Sequence, residues 1–253
     1  GKLSQGTLIK RRPYRDPHHS ASLPALVGGG FKALPGEVTL AHRGVLFLDE
    51  LPEFSRSTLE SLRQPLESGQ VTIARANAHI TYPARFQLVA AMNPCRCGYL
   101  DDVTRACSRA PKCAVDYQAK ISGPLLDRMD LHVFMPAVKL SELVPLPGQE
   151  TTLTVAERVA KARGRQRQRF LKNQSSLRVN AEVSGKILEV LLQLENESQN
   201  FINQAAEKLK LSARSYHRIL RVARTIADLG ESEIIRKIDV AEALSLRLDK
   251  TSY

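Results

Sequence analysis

The amino-acid sequence predicts an α/β domain with a parallel-sheet core and an inserted β-hairpin, followed by a small all-α domain. Two patterns and a break between them carry this. From residue 20 to 137, apolar runs alternate with polar turns and one helical pattern, as an α/β unit requires. From Thr151 onward every segment shows helical spacing with polar starts. Between them Pro136, Pro145, Pro147 and Gly148 interrupt any regular element. The expected organisation is therefore a core over residues 1–137, a linker over 138–150 and a helical domain over 151–253.

The elements follow in order. Gly44-Val45-Leu46-Phe47-Leu48-Asp49-Glu50 runs four apolar residues straight into two carboxylates, the pattern of a buried parallel strand. Ser57 is placed to cap a helix carrying Leu59, Leu62 and Leu66 and ending near Gly69. Val71-Thr72-Ile73-Ala74 and Ile80-Thr81-Tyr82 alternate as two strands, with Arg75-Ala76-Asn77-Ala78 as the hairpin tip. Phe86 to Met92 is apolar almost throughout and ends on Asn93-Pro94, a further strand. In the second domain the spacing predicts helices over 154–171, 181–195, 199–209, 212–229 and 237–248.

Paired acids at the carboxyl end of a parallel strand sit where open α/β sheets bind their ligands. There Asp49 can hold a hydrated Mg²⁺ and Glu50 can polarise a water, the Walker B pattern of a nucleotide-hydrolysing enzyme. A core strand ending in solvated acids has the same signature, so the downstream residues must separate the two. Asn93, a polar amide ending the next apolar strand, is placed to orient a water beside a γ-phosphate. Standing alone, Asn before Pro is a turn signal.

Charge narrows the partner. The 253 residues carry 37 Lys and Arg against 26 Asp and Glu, a formal +11, which fits an anionic partner and most simply nucleic acid. No apolar stretch approaches the ~20 residues that a bilayer span requires. The N-terminal residues lack an apolar signal region, so a cytoplasmic location is expected. Starting on Gly1 rather than Met points to a fragment.

Leu46-Phe47-Leu48-Asp49-Glu50-Leu51-Pro52-Glu53-Phe54, Val89-Ala90-Ala91-Met92-Asn93-Pro94-Cys95 and Ser122-Gly123-Pro124-Leu125-Leu126-Asp127-Arg128-Met129-Asp130-Leu131 together resemble the magnesium-chelatase-like AAA+ proteins of the ComM type. Arg15 to Ser22, Leu26 to Gly30 and Val222 to Leu229 resemble the same family, so the likeness covers nearly the whole chain. Asp16 departs from it, standing where a small residue is expected. A larger departure is that no G-x-x-x-x-G-K-[ST] occurs in these residues. Such a loop wraps phosphates in backbone N–H groups and adds a lysine. The chain by itself is therefore expected not to hydrolyse ATP, and to be the downstream part of a longer ATPase.

The resemblance implies roles. Asp49 would position Mg²⁺ with ATP, Glu50 would activate the attacking water and Asn93 would help orient it. Arg128 is the candidate arginine finger, reaching the γ-phosphate bound by a neighbouring subunit of a ring; an ion pair with Asp127 or Asp130 is the alternative. Arg214, or Arg218 one turn along, is the candidate sensor 2 contact to the nucleotide. Arg75 would face DNA from the hairpin tip, tracking phosphates without reading sequence. Gly28-Gly29-Gly30 and His18-His19 belong to the segment before Walker B, and adjacent histidines fit surface roles better than a shared metal. Arg158, Lys161, Arg163, Arg165, Arg167 and Arg169 ring one helix rather than forming a stripe, the pattern of a solvated helix.

All four cysteines fall in one loop as C-x-C-x9-C-x5-C: Cys95, Cys97, Cys107 and Cys113. Four thiolates suit a tetrahedral, structural Zn²⁺ that staples an irregular loop; disulfides compete less well in a reducing cytosol. The leading expectation is a hexameric AAA+ DNA helicase, assembled when nucleotide is bound, that acts on branched or single-stranded DNA and drives branch migration in natural transformation. A chelatase motor subunit is the alternative, and a degenerate, non-hydrolysing DNA-binding or assembly module is a third reading.

Overall fold

The computed structural model describes residues 11–75, 78–100, 104–136, 148, 150–173, 175–183 and 194–247, with backbone alone at Arg75 and Ala78. The chain forms two compact units that meet at Met129 and Asp130. The sequence breakpoint lies later, and most of the expected linker falls outside the described residues. Residues just past Met129 already belong to the helical unit: the His132 amide donates to the Leu246 carbonyl at 2.6 Å.

The first unit is organised by a three-stranded parallel sheet of β1 (Tyr14–Arg15), β4 (Val45–Leu48) and β7 (Gln87–Ala90), with β4 central. Val45 pairs with Tyr14 on one side and Gln87 on the other; Leu48 pairs with Ala90. Alternation on β4 buries Leu46 and Leu48 completely. Phe47 points to the opposite face, where it stacks on Tyr14 with centroids 6.3 Å apart. Leu46 and Leu48 pack with Leu26 of α1 (Leu23–Val27), Val38 of α2 (Glu37–Leu40), and Leu59 and Leu62. Burying an aliphatic side chain contributes about 1.5–3 kcal/mol, so these residues form the unit's main apolar stabilisation.

Between β1 and β4 a short antiparallel pair, β2 (Gly28–Gly29) and β3 (Leu34–Pro35), projects from α1. After β4, α3 (Arg56–Ser61) and α4 (Arg63–Ser68) form the expected helical stretch in two pieces. Its cap is Ser55, whose hydroxyl accepts from the Thr58 amide at 3.2 Å, and not Ser57, which lies inside the first turn. Pro65 cannot donate a backbone hydrogen bond, which suits a break at Leu62. Gly69 closes α4 at φ 68°, the left-handed region that favours glycine. The hairpin β5 (Gln70–Arg75) and β6 (Ala78–Pro83) matches the alternation read from sequence.

β7 departs from the expected buried strand. It is four residues long, with Leu88 and Ala90 on the core while Gln87 and Val89 are exposed. Apolar composition predicts burial on both faces, but the described elements cover one face of this edge strand. Further on, α5 (Lys112–Gln118) and α6 (Gly123–Leu126) complete the unit. Ser122 caps α6 by accepting from the Leu125 amide at 3.3 Å.

The second unit is helical: α7 (Thr152–Lys172), α8 (Asn196–Lys208), α9 (Ala213–Leu229) and α10 (Lys237–Ser245). Thr151 caps α7 and Ser212 caps α9, each accepting an amide three residues on. These ranges match four of the five expected helices closely; for the fifth, residues 184–193 lie outside the described set, and Asn180–Glu182 forms one 3-10 turn. Phe170, Ile202, Ile219, Leu220, Ala223, Ile235 and Val240 make its core.

One charge cluster sits inside that core. Arg224 and Asp228 are buried and paired at 3.1 Å, one turn apart on α9. Arg169 of α7 also binds Asp228, whose carboxylate accepts from Asn180 Nδ2 at 2.8 Å. Arg224 donates further to the carbonyls of Glu233 and Ser232. Arg169 is thus not one of the solvated charges expected along α7, because its helix position faces Asp228. Its neighbours follow that expectation better: Arg158 pairs with Glu150 and Arg165 with Glu231 on the surface.

Candidate functional site

The carboxyl ends of β4 and β7 bring the sequence-predicted acids to one edge of the first unit. The Leu51 amide donates to the Ala91 carbonyl at 3.0 Å, and the Ala91 amide to the Leu48 carbonyl at 2.9 Å. These bonds lock the two strand ends together just where Asp49, Glu50 and Asn93 leave the sheet, all three exposed. Asp49 Oδ1 accepts from the Glu50 amide at 2.8 Å, which orients its carboxylate. Glu50 adopts φ 51°, an unusual left-handed conformation for a non-glycine residue. A carboxylate that keeps its second oxygen toward solvent is a suitable hard ligand for Mg²⁺, and its neighbour is placed to polarise a water.

His19 was read from sequence as a surface residue. Its Nδ1 lies 3.0 Å from Glu50 Oε2, and its ring meets Phe54 edge-on at 6.4 Å. His18 packs against His19 with centroids 4.0 Å apart and contacts Ser20 through Nδ1 at 2.8 Å. No spacing rule links residue 19 to residue 50; only β1 running parallel to β4 carries the histidines to the acid. Arg15, on β1, is held by Glu37 at 2.5 and 2.7 Å, and these contacts raise its pKa.

Arg128 lies against the first unit. Its side chain is 8% exposed, pairs with Glu67 of α4 and donates to the Pro124 carbonyl at 2.7 Å. Asp130 accepts from Arg218 Nη1 at 2.5 Å within the helical unit. Arg218 is largely buried on α9, whereas Arg214 is exposed near its start. Arg221, one turn beyond Arg218, has its pKa lowered chiefly by burial, with Asp130 opposing that effect. Arg75 ends β5 in register with Ala78, and its side chain lies outside the described residues.

Cys95, Cys97 and Cys113 place their sulfurs within 4.8 Å of one another. Cys95 Sγ is 3.1 Å from Cys97 Sγ, and the four cysteines are free thiols. Cys97 is drawn down to about 6, first by its hydrogen bond with Cys95 and then by backbone hydrogen bonds involving Tyr99 and Cys107. Cys113 is pushed up to about 12, led by its hydrogen bond with Cys107 and then by burial. Cys107 lies outside that close trio but hydrogen-bonds with Cys97 and Cys113. Tetrahedral zinc with Zn–S bonds of about 2.3 Å needs sulfurs roughly 3.8 Å apart, a spacing this cluster can supply. Gln118 Nε2 of α5 donates to the Pro94 carbonyl at 2.8 Å, tying the cysteine loop back to the end of β7.

Parallel strands with paired carboxylates and an amide at one edge, followed by a helical unit, fit the AAA+-like fold. The family profile described as magnesium chelatase, subunit ChlI, matches residues 1–143, and that of its C-terminal region matches residues 149–247. The chain therefore belongs to the magnesium chelatase ChlI family. It is 48% identical to competence protein ComM of Haemophilus influenzae over 239 residues, covering 94% of this chain and 45% of that protein. It is 47% identical to the uncharacterised YifB of Escherichia coli over 241 residues, covering 94% and 46%. A shorter stretch of 59 residues is 39% identical to the zygotic DNA replication licensing factor mcm3 of Xenopus laevis, covering 23% and 7%. The chain spans about half the length of the ComM and YifB relatives.

Proposed function

We propose that this chain is part of an AAA+ ATPase motor, most simply a hexameric DNA helicase that promotes branch migration during natural transformation or recombination. The observation that carries the reading is the strand-end edge, where Asp49, Glu50 and Asn93 emerge exposed from two hydrogen-bonded parallel strands. Asp49 binds Mg²⁺ of the nucleotide, Glu50 takes the proton from the attacking water, and Asn93 orients that water. Arg128 serves the site of a neighbouring subunit after leaving Glu67, and Arg214 or Arg218 contacts nucleotide from the helical unit. A net charge of +11 supports an anionic track, with Arg75 on phosphates. The likeness to the competence protein of Haemophilus influenzae supports a link to competence. Among the described residues no helix is long and apolar enough to cross a membrane.

Cys95, Cys97, Cys107 and Cys113 hold a structural zinc that fixes the loop between Asn93 and α5. Bound zinc would supply a rigid cross-link and no reactive position. The function is tested by measuring ATP hydrolysis of the full-length protein with and without a four-way DNA junction. Stimulation together with strand exchange supports the helicase reading. Hydrolysis that ignores DNA and moves no strand overturns it.

A further inference from the structure

The acids leave the carboxyl ends of the parallel strands, and the opposite edge of the same sheet carries arginines. Arg12, Arg43 and Arg85 each stand just before a strand, β1, β4 and β7 in turn, and all three are exposed. The strands start in register, since Val45 pairs with both Tyr14 and Gln87, so the arginines form a row across the sheet. Hydrogen bonds clip that row together. Arg12 Nη1 donates to the Arg43 carbonyl at 3.1 Å, the Arg43 amide to the Arg85 carbonyl at 2.6 Å, and the Arg85 amide to His42 Nδ1 at 3.1 Å. Arg43 holds φ 62°, a left-handed conformation uncommon for a non-glycine residue. Beside it, a Cβ at Gly44 would lie 1.9 Å from the Pro13 carbonyl oxygen, so the strand starts are in close contact. A Cβ at Gly69 would lie 2.6 Å from Arg85 Cγ, which lays the stem of Arg85 across the base of the β5–β6 hairpin. The pKa of His42 is held down first by burial and then by the Arg43 and Arg85 charges. Like charges gathered on a fixed backbone repel one another, and an anion relieves that repulsion.

We propose that the amino-terminal edge of the sheet is a binding surface for the DNA backbone, with Arg12, Arg43 and Arg85 on its phosphates. This rests on the reading of the chain as part of a DNA motor and locates a second contact, separate from the hairpin tip. Guanidinium groups grip phosphate oxygens in pairs and read no sequence. The hairpin joins the two contacts: the Ala84 amide closes its base on the Gly69 carbonyl at 2.8 Å, and Arg85 follows directly. From Gln70 at the base to Arg75 at the far end, five residue steps along β5 span about 17 Å. At a rise of about 3.4 Å per nucleotide, the two contacts lie about five nucleotides apart on one strand. A patch centred on three guanidiniums suits a polyanion better than a protein interface, whose centre is depleted of charge. The +11 charge of the chain points the same way.

The test is binding of a fluorescein-labelled single-stranded oligomer by anisotropy over a series of salt concentrations. Each phosphate contact contributes about 0.7 to the slope of log affinity against log salt. Changing Arg12, Arg43 and Arg85 together to Gln should therefore reduce that slope by about 2 and weaken binding roughly tenfold or more at 0.1 M salt. Changing all three to Lys keeps the charge, so the slope should stay at the parent value and affinity within about threefold. Arg85→Gln alone should remove about 0.7 of slope, and it decides the question if the triple Gln variant melts early. Parent binding with an unchanged slope in the Gln variants overturns the edge as a contact and leaves the DNA reading intact. A loss in the Lys variant as large as in the Gln variant overturns phosphate attraction as the cause. Tighter binding of polyglutamate than of an oligomer of equal length overturns the assignment in favour of an acidic protein. Failure of the parent chain to bind the oligomer at low salt overturns both readings.

Discussion

The two units use charge in opposite ways. In the helical unit, Asp228 is buried between Arg224, Arg169 and Asn180, and its charge is answered by partners within the fold. In the α/β unit, Asp49 and Glu50 stand exposed at a strand edge, answered by a backbone amide and one histidine. Desolvating a carboxylate is costly unless it is paired, so the buried cluster specifies architecture. Acids kept in water at the ends of parallel strands retain free coordination positions, which architecture alone does not require. Both pairs lie in segments that resemble the same family, yet one is buried and the other is exposed to solvent.

Four outcomes sharpen or break this contrast. Glu50→Gln in the full-length protein should lower ATP hydrolysis by about 100- to 10,000-fold with nucleotide binding retained, as measured by steady-state turnover and a fluorescent nucleotide. In this chain the same change should alter stability by less than about 0.5 kcal/mol. A large loss of stability would mean that the exposed acid is architectural after all. Asp228→Ala should destabilise the helical unit by about 3–5 kcal/mol in denaturant unfolding, because it leaves a buried guanidinium uncompensated. A change near zero would remove the distinction between the two units.

Cys97→Ser should abolish stoichiometric zinc in metal analysis of the purified chain, and chelation of the parent should lower the melting temperature of the α/β unit only. Equal zinc in parent and variant would exclude the thiolate cluster as the metal site. The smallest effect concerns His42. Its pKa is lowered, first by burial and then by Arg43 and Arg85, and its Nδ1 accepts from the Arg85 amide at 3.1 Å. The folded state therefore favours neutral imidazole. Stability is complete above the unfolded value near 6.5 and declines as pH falls from there through the folded pKa. His42→Asn should flatten this acid-side loss in thermal melts, while the helical unit's profile stays unchanged.

Legibility in the sequence followed the range of the signals. Strand β4, the hairpin and helices α7, α8 and α9 were readable because hydrophobic periodicity and capping residues act over a few positions. The cap at Ser55 was missed in favour of Ser57, since both serines precede the same apolar spacing and only the hydrogen bond to Thr58 separates them. Asp49, Glu50 and Asn93 were placed at strand ends from sequence. His19 against Glu50, Glu67 against Arg128 and Asp130 against Arg218 were not, because each pair joins distant residues through the packing of whole elements.

By itself the sequence determined that a parallel strand ends in two acids, that four cysteines share one loop, and that an α/β unit precedes a helical one. Those properties depend on composition and on spacing along the chain. Tertiary structure decided which charges are buried and answered, which acids remain open to a ligand, and that Arg12, Arg43 and Arg85 meet at one sheet edge. These depend on which surfaces meet, and burial and partner geometry exist only after the elements have packed.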